Sequence, residues 1–543
     1  MIAAAVAALL SPSAASAHAV LLGTTPSNDT VVQKQPALVT LRFNEAVETA
    51  FGSLRVYNSA AKRVDTGEVR RPDDRSVAVA LHRGLARGTF TVTWRVVSAD
   101  SHPIEGAFVF HVGAPGAQQA GVASEVRDRG APHWVALIAD GVRASQFALL
   151  LLCVGLSFAL VWALRAASAR VRSRMYAGLA GAAVGLAFAA AAGIVVQGAV
   201  AGGFGLSDAL STDVVRSVLE TRYGHAWALA ILGGLVLAAL AVAAARGARV
   251  AETAAVVVAV LCACVPTFVG HAHVTGGWAK VADLVHVQAA GVWVGGLAAV
   301  VAALALERGS RWRLASTAVP RFSRTAVVAV AALIVAGTIS GYLEIRAWRG
   351  LWDTHYGQLL LIKLALVVPL LALGALQNRF AVPKLRSEQV SPVERRRFVR
   401  RGVAELALML AVIGVTAALV AEPPARASVA PKGPVALDTA LGPFELNLVV
   451  DPASTGLNTI HVYLLDADGR PAKVAEVQVA ASLPSRRIGP LRFEAHPLAP
   501  GHFAVHGAQL PLPGDWQLRV TARRGEFEQF EKTLSIPIRK DTP

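Results

Sequence analysis

Hydrophobic and polar positions divide the chain into stretches with different periods. Between residues 18 and 113, apolar and polar positions alternate in short runs such as Leu38–Phe43 and Thr89–Trp94, which predicts β-strands with one buried face. From about 134 to 421, eight apolar runs each reach the roughly 20 residues that a helix needs to cross a bilayer. These runs are centred near residues 152, 190, 235, 260, 294, 333, 367 and 410.

The last part of the chain, residues 426–543, returns to strand-like alternation. Leu446–Val450 and His461–Leu465 have the composition of strands. Asp468-Gly469 predicts a hairpin turn and Pro513-Gly514 a second turn. A second small β-sandwich is the simplest architecture for this part.

The predicted organisation is therefore multidomain. An all-β sandwich or barrel at the N-terminus precedes an eight-helix transmembrane bundle, and an all-β sandwich follows it. The predicted boundaries are a signal peptide at 1–17, a β domain at 18–113, a linker at 114–133, a membrane domain at 134–425 and a C-terminal β domain at 426–543.

Composition supports this assignment to a membrane protein. Of 543 residues, 54% are hydrophobic and only 16% are charged, whereas soluble chains carry about 25% charged residues. A disordered chain and a soluble enzyme are both excluded. The net charge of +16 comes largely from basic residues between the apolar runs, so we expect no nucleic-acid partner.

The basic residues also predict the orientation in the membrane. Segments 165–174, 246–249, 307–324 and 379–401 contain 19 Lys and Arg, and the intervening segments contain 5. The positive-inside rule places the first set in the cytoplasm. With eight spans, both termini and both β domains then lie on the periplasmic side of the inner membrane.

The N-terminus itself resembles a secretory signal. An apolar stretch, Ile2–Leu10, precedes Ala15-Ser16-Ala17, which is an A-x-A cleavage pattern, although the usual basic segment is missing. Cleavage after Ala17 would make His18 the first residue of the mature chain.

A terminal histidine has a specific chemistry. Its α-amine and imidazole can chelate one metal ion in a stable ring. Asp100 and His102 lie two residues apart, so in an extended segment they would project from one face and could add a carboxylate and a second imidazole. Nitrogen and oxygen ligands in a tetragonal set favour Cu(II). We predict that His18, Asp100 and His102 bind Cu²⁺.

The β domain resembles the copper-resistance protein C (CopC) family. The matching segments are His18-Ala19, Thr25-Pro26, Leu41–Glu45 and Val92–Pro103. The resemblance implies that His18, Asp100 and His102 bind Cu(II) tightly. Family members commonly have Gly where Ser101 stands. Some also have a Met-rich Cu(I) site, but the mature β domain contains no Met, so the resemblance implies a Cu(II)-only variant.

Histidines of the membrane region form a second group of candidates. All five are predicted at or near outer ends of helices, where imidazoles could receive copper. The predicted copper path consists of His225, His271, His273, His286 and His355. Lys363 lies several residues into the seventh span, where it could extend toward the surface or pair with a carboxylate.

This region resembles the copper-resistance protein D (CopD) family over about 280 residues. The matching segments are Gly270–Ala272, His286, Trp293–Leu297, Arg321–Arg324 and Tyr356–Lys363. The resemblance implies an inner-membrane partner of the soluble copper binder, associated with copper uptake.

Residues 438–535 resemble the YtkA-like family of extracytoplasmic immunoglobulin-like domains. The matching segments are Asn447–Ala453, Gly456–Asn458, Asp466–Gly469 and Pro513–Trp516. The resemblance implies an immunoglobulin-like sandwich. His496, His502 and His506 are considered as a second metal site, with surface or core roles as the simpler interpretation.

We therefore predict a copper-binding membrane protein, not an enzyme, that captures extracytoplasmic Cu(II) and serves copper import, homeostasis and resistance. Its expected partners are copper ion, the lipid bilayer and periplasmic copper proteins. Two alternatives stay open at this point. One is a copper- or haem-dependent membrane redox protein, and the other is an oxidative copper enzyme with a terminal-histidine site.

Overall fold

A computed structural model provides the architecture. It describes residues 19, 21–27, 30–49, 54–113, 131–272, 276–307, 311–345, 348, 350–385, 392–425, 435–466, 470–525 and 528–539. His18, His273, the predicted signal peptide and most of the predicted linker lie outside these residues, so the predictions made for them stay predictions.

The N-terminal part is a sandwich of two sheets, as predicted. Its strands are β1 (Leu21–Thr25), β2 (Val31–Val32), β3 (Leu38–Phe43), β4 (Val47–Glu48), β5 (Leu54–Asn58), β6 (Asp65–Asp73), β7 (Ser76–Leu81), β8 (Gly88–Ser98) and β9 (Pro103–Val112). One sheet has the order β1-β3-β7-β6 and the other β2-β9-β8-β4, with β5 also paired to β8.

The alternating pattern explains why these strands enclose a core. Leu41 and Phe43 of one sheet and Val92 and Phe110 of the other are almost completely buried between the layers, while alternate residues face outward. The long β8–β9 hairpin extends from this core, and its turn contains Asp100 and His102.

Within the part of the chain that the structure describes, eight helices that are long and apolar enough to cross a membrane follow, which confirms the predicted number of spans. They are α1 (His133–Trp162), α2 (Ala169–Gly202), α3 (Arg222–Ala245), α4 (Arg249–Val269), α5 (Gly277–Leu306), α6 (Arg313–Ile345), α7 (His355–Leu385) and α8 (Val393–Leu419). Two short helices, Leu206–Ala209 and Thr212–Leu219, connect α2 to α3.

Glycines allow α1 and α5 to cross very closely. A Cβ atom on Gly155 would lie 2.1 Å from the backbone carbon of Gly295, and one on Gly295 would lie 2.2 Å from the Leu151 oxygen. The backbone of α5 widens into a π-helical turn at Gly291–Gly295. Small residues commonly allow such backbone contact between membrane helices, and here the contact follows directly after the segment of α5 that carries His286.

The C-terminal part is a two-layered antiparallel structure. Its strands are β10 (Val435–Leu441), β11 (Phe444–Asp451), β12 (Gly456–Leu465), β13 (Glu476–Leu483), β14 (Ile488–Ala499), β15 (His502–Leu510), β16 (Gly514–Arg524) and β17 (Glu528–Ile538). The strand order is β10-β11-β12-β15-β14-β13-β16-β17. The first half of β14 pairs with β13 and its end pairs with β15, so the strand passes from one layer to the other around a shared core.

Candidate metal centre

The β8–β9 turn positions Asp100 and His102. Sequence periodicity predicted an extended segment here, and that prediction is wrong: residues 99–101 form a turn closed by hydrogen bonds from Ser101 N to Ser98 O and from Ser98 N to His102 O. Ser101 has a φ of 71°, a left-handed conformation that glycine adopts most easily. The expected proximity of Asp100 and His102 therefore results from a turn and not from strand alternation.

Asp100 is the centre of a cluster that joins two domains. Its side chain is fully buried, with Oδ2 3.0 Å from His271 Nδ1 and Oδ1 3.3 Å from His102 Nδ1. The two imidazole rings stack with centroids 4.9 Å apart. One ligand atom from each of the three residues lies within 4.8 Å of the others, and this is the one such group of three within the described ranges.

The outward nitrogens of both rings face backbone carbonyls. His102 Nε2 lies 3.1 Å from the Val420 oxygen, and His271 Nε2 lies 3.3 Å from the Glu422 oxygen. A carbonyl can only accept, so in each ring Nε2 carries the hydrogen. Histidines that ligate metals typically donate their second ring N–H in this way.

This arrangement leaves a group of acceptors facing one another. If Nε2 carries the only ring hydrogen, each Nδ1 presents a lone pair toward the oxygens of Asp100. Lone pairs at 3.0 to 3.3 Å repel unless a proton or a metal cation lies between them. The donor set of two imidazole nitrogens and a carboxylate suits a divalent transition metal.

Ala19 connects the N-terminus to this turn. Its backbone N–H donates to Ser98 Oγ at 3.2 Å, and Ala19 is buried. Ser98 immediately precedes the turn, and its hydroxyl in turn donates to Glu45.

Hydrogen bonds to helix ends hold the β domain against the membrane domain. Arg95 donates to the carbonyls of Ala201 and Val200 at 2.7 and 2.8 Å. Burial lowers the pKa of Arg95, and the nearby charge of Glu105 opposes that shift. The last carbonyls of a helix have no partner within the helix, so the guanidinium satisfies groups at the end of α2.

The turn itself is also fixed from the membrane side. Gln197 donates to Ser101 O at 2.9 Å, Ser101 Oγ donates to Val269 O at 3.0 Å, and Arg222 donates to Ala99 O at 3.2 Å. These contacts involve common residue types without a motif, and for that reason sequence reasoning did not find them. They place the turn directly over His271.

Arg95 provides a test of this docking. Arg95→Ala is expected to weaken the docking of the β domain by about 3 kcal/mol, because it removes two hydrogen bonds from a charged donor. Hydrogen exchange, measured by mass spectrometry on the detergent-solubilised chain, should then rise in peptides covering 95–102. Arg70→Ala, which removes an exposed pair with Glu68, is the matched control. Equal exchange in both variants would show that Arg95 does not hold the domains together.

Of the other predicted membrane histidines, the three that the structure describes, His225, His286 and His355, do not join the cluster. His225 lies in the first turn of α3, and His355 begins α7 and pairs with Glu422 at 2.9 Å. Glu422 therefore contacts His355 through its side chain and His271 through its backbone oxygen. His286 is deeper than predicted: nine residues after Gly277 it lies about 14 Å along α5.

Further polar side chains lie within α4 and α5, deeper in the helical bundle than His271. Thr267 Oγ1 donates to Asp283, which lies three residues and thus about one turn before His286 on α5. The charges of Asp283 and of Lys363 on α7 act on each other electrostatically. His286 lies against α6, where a Cβ on Gly337 would come within 3.3 Å of its ring.

Comparison with known proteins now places these features in a family. The fold and site define a class of multi-pass membrane proteins that join a β domain to a helical bundle through a shared cluster of two imidazoles and a carboxylate. Residues 21–113 match the CopC domain, residues 134–281 the copper resistance protein D-like N-terminal domain, and residues 316–419 copper resistance protein D.

Individual relatives agree with this assignment. Protein YobA of Escherichia coli K12 is 35% identical over 98 residues, covering 18% of this chain and 79% of YobA. Inner membrane protein YebZ of the same strain is 31% identical over 264 residues, covering 47% of this chain and 87% of YebZ. Copper transport protein CutJ of Bacillus subtilis 168 is 28% identical over 536 residues, covering 96% of this chain and 95% of CutJ.

The chain belongs to the CopC and CopD families of copper resistance proteins, with both units in one polypeptide. It is accordingly a multi-pass membrane protein of copper handling, and copper is its expected ligand. The resemblance of its C-terminal part to YtkA-like domains stays a prediction.

Proposed function

We propose that this protein captures Cu(II) outside the cell membrane and passes it into the membrane domain for import and copper homeostasis. One observation supports this proposal above the others. Asp100 contacts His102 of the β domain and His271 of the membrane domain at once. A metal ion held by Asp100 and His102 would thus be within reach of the first imidazole of the bundle.

The remaining ligands would come from the N-terminus. After cleavage behind Ala17, the α-amine and imidazole of His18 would complete a tetragonal set with Asp100 and His102, which suits Cu(II). The hydrogen bond from Ala19 N to Ser98 Oγ supports this arrangement, since Ala19 follows His18 in the sequence and Ser98 lies two residues before Asp100.

The proposed direction of entry follows from the topology. The contacts of the β domain fall at the ends of α2, α4 and α8 and the beginning of α3. The excess of Lys and Arg lies in the segments at the opposite ends of the helices, which the positive-inside rule assigns to the cytoplasm. Both termini and both β domains would then be periplasmic.

Transfer would proceed by exchange of ligands. His271 takes the place of a β-domain ligand while Asp100 stays bound, and Thr267, Asp283 and His286 offer the next polar groups along the bundle. The covalent link keeps the capture domain at a high effective concentration near the bundle. Under this proposal the protein binds and moves copper and does not catalyse a reaction.

Cell copper tests the proposal. In cells that depend on this chain for copper accumulation, His102→Ala and His286→Ala are each expected to reduce total copper, measured by mass spectrometry, to the level of cells without the protein. His82→Ala is the control, because His82 is exposed and outside the cluster. Unchanged accumulation in both variants would refute import, and increased accumulation would indicate export.

A further inference from the structure

Two histidines of the C-terminal domain lie together on neighbouring strands. His461 of β12 and His502 of β15 have their Nδ1 and Nε2 atoms 3.1 Å apart. Tyr463 stacks on His502 with ring centroids 4.2 Å apart. On the basis of the sequence, His502 was grouped with His496 and His506. Within the described residues, the ligand atoms of those three do not lie close enough together to hold one metal ion. The histidine next to His502 is His461.

Strand register explains this pairing. Tyr463 is directly opposite His502, and His461 is opposite Ala504, so His461 and His502 are diagonal neighbours on one face of the sheet. Ile460, Val462 and Phe503 point to the other face and are buried in the core. The two imidazoles therefore project away from the core, with His502 buried beneath the tyrosine and His461 partly exposed.

The separation of the two nitrogens fits a shared metal ion. With metal–imidazole bonds of about 2.0–2.1 Å, a nitrogen separation of 3.1 Å corresponds to a ligand–metal–ligand angle of roughly 95–102°. This value lies between tetragonal and tetrahedral geometry, so both rings could bind one ion with little movement of the strands.

The same pair can also form a hydrogen bond without metal. One ring then donates its N–H to the other. A metal ion requires a lone pair on both facing nitrogens, which the donor ring provides by moving its hydrogen to its other nitrogen. Binding thus needs no net loss of a proton. Asp451, which acts electrostatically on His461, supplies negative charge next to an incoming cation.

We propose that His461 and His502 form a second site for a divalent transition-metal ion, with Cu(II) favoured by the affinity order for nitrogen ligands. The site is separate from the cluster at Asp100, and it gives the C-terminal domain a metal-binding role of its own. Water molecules would complete the coordination on the side of His461, where the sheet surface is accessible.

Copper binding to the full-length chain in detergent tests this site. Cu(II) is added in equilibrium dialysis against a competing chelator, and bound copper per chain is measured together with nitrogen hyperfine structure by electron paramagnetic resonance. His461→Gln is expected to lose one copper equivalent, as is His502→Gln. His496→Gln and His506→Gln are matched controls from the same domain and should lose none. Thermal unfolding is measured to confirm that the variants are folded. Substitution of His461 is expected to disturb folding less than substitution of His502, because His461 is partly exposed and His502 is buried.

A combination with the first site makes the outcomes distinct. His102→Ala should also lose one equivalent, and His102→Ala/His461→Gln should lose two. If His461→Gln binds as much copper as the His496→Gln control, the pair is only a hydrogen bond and the second site is refuted, while the site at His102 is unaffected. If His461→Gln loses copper and His102→Ala does not, the second site stands and the capture site of the proposed function fails.

Discussion

Asp100→Asn is expected to lower the affinity of the full-length protein for Cu(II) by about 100-fold or more, while the two domains stay docked. Loss of an outer-shell partner alone typically costs 10–100-fold in metal affinity, and Asp100 contacts both imidazoles directly. The substitution removes the only carboxylate of the described cluster and keeps the size of the side chain.

The amide makes this substitution selective. An Asn at position 100 has N–H donors, which can bond to the lone pair on Nδ1 of His102 or His271. If Nε2 carries the only ring hydrogen in the metal-free protein, the interface thereby loses an acceptor–acceptor contact and gains a hydrogen bond. We expect hydrogen exchange of the β8–β9 turn to stay unchanged or to fall, even though copper binding is lost.

Titration against a chelator of known Cu(II) affinity measures this effect. Asp74→Asn is the matched control, because Asp74 is in the same domain but is exposed and paired only with Arg71. If Asp100→Asn binds Cu(II) as tightly as Asp74→Asn does, the cluster is an interdomain hydrogen-bond network and not a metal site.

The candidate residues of the cluster could be identified from the sequence because they are recognised by residue type. Asp100, His102 and His271 are each polar groups in positions where strands or apolar helices predominate, and such groups are expensive to bury without a purpose. Likewise, the number of spans follows from apolar run length, because the bilayer thickness imposes it.

The meeting of His271 with Asp100 could not be predicted in the same way. The two residues are 171 positions apart, and their contact depends on Arg95 binding carbonyls at the end of α2. Every helix ends in such carbonyls, so no sequence signal identifies which ones are used. The turn at Ser101 could not be predicted either, because a residue other than glycine rarely has a positive φ and so gives no sign of one.

His461 was missed for a related reason. Within β12 it occupies one of the outward positions of an ordinary alternating strand, and nothing in its neighbours along the chain indicates a partner. The pairing with His502 arises only because β15, and not β13, lies beside β12. Strand order in an antiparallel sandwich is a property of the whole domain, which local periodicity does not contain.

Asp283→Asn is expected to reduce both stability and copper accumulation. The substitution removes the negative charge that acts on the Lys363 ammonium. Breaking a buried ion pair from one side costs roughly 3–5 kcal/mol. For the weaker interaction between two partly buried charges we expect about 2 kcal/mol. Thermal unfolding in detergent measures the stability, and cell copper measures transport.

The double variant Asp283→Asn/Lys363→Met separates the two effects. It removes both charges, so the stability should return to within about 1 kcal/mol of the wild type, as replacement of buried pairs by apolar residues is often neutral. If Asp283 binds the copper ion as it passes from His271 to His286, copper accumulation should stay low although this variant is stable. Accumulation equal to that of the wild type would mean that the charges of Asp283 and Lys363 serve stability only, and copper would have to leave His271 by a route that avoids this carboxylate.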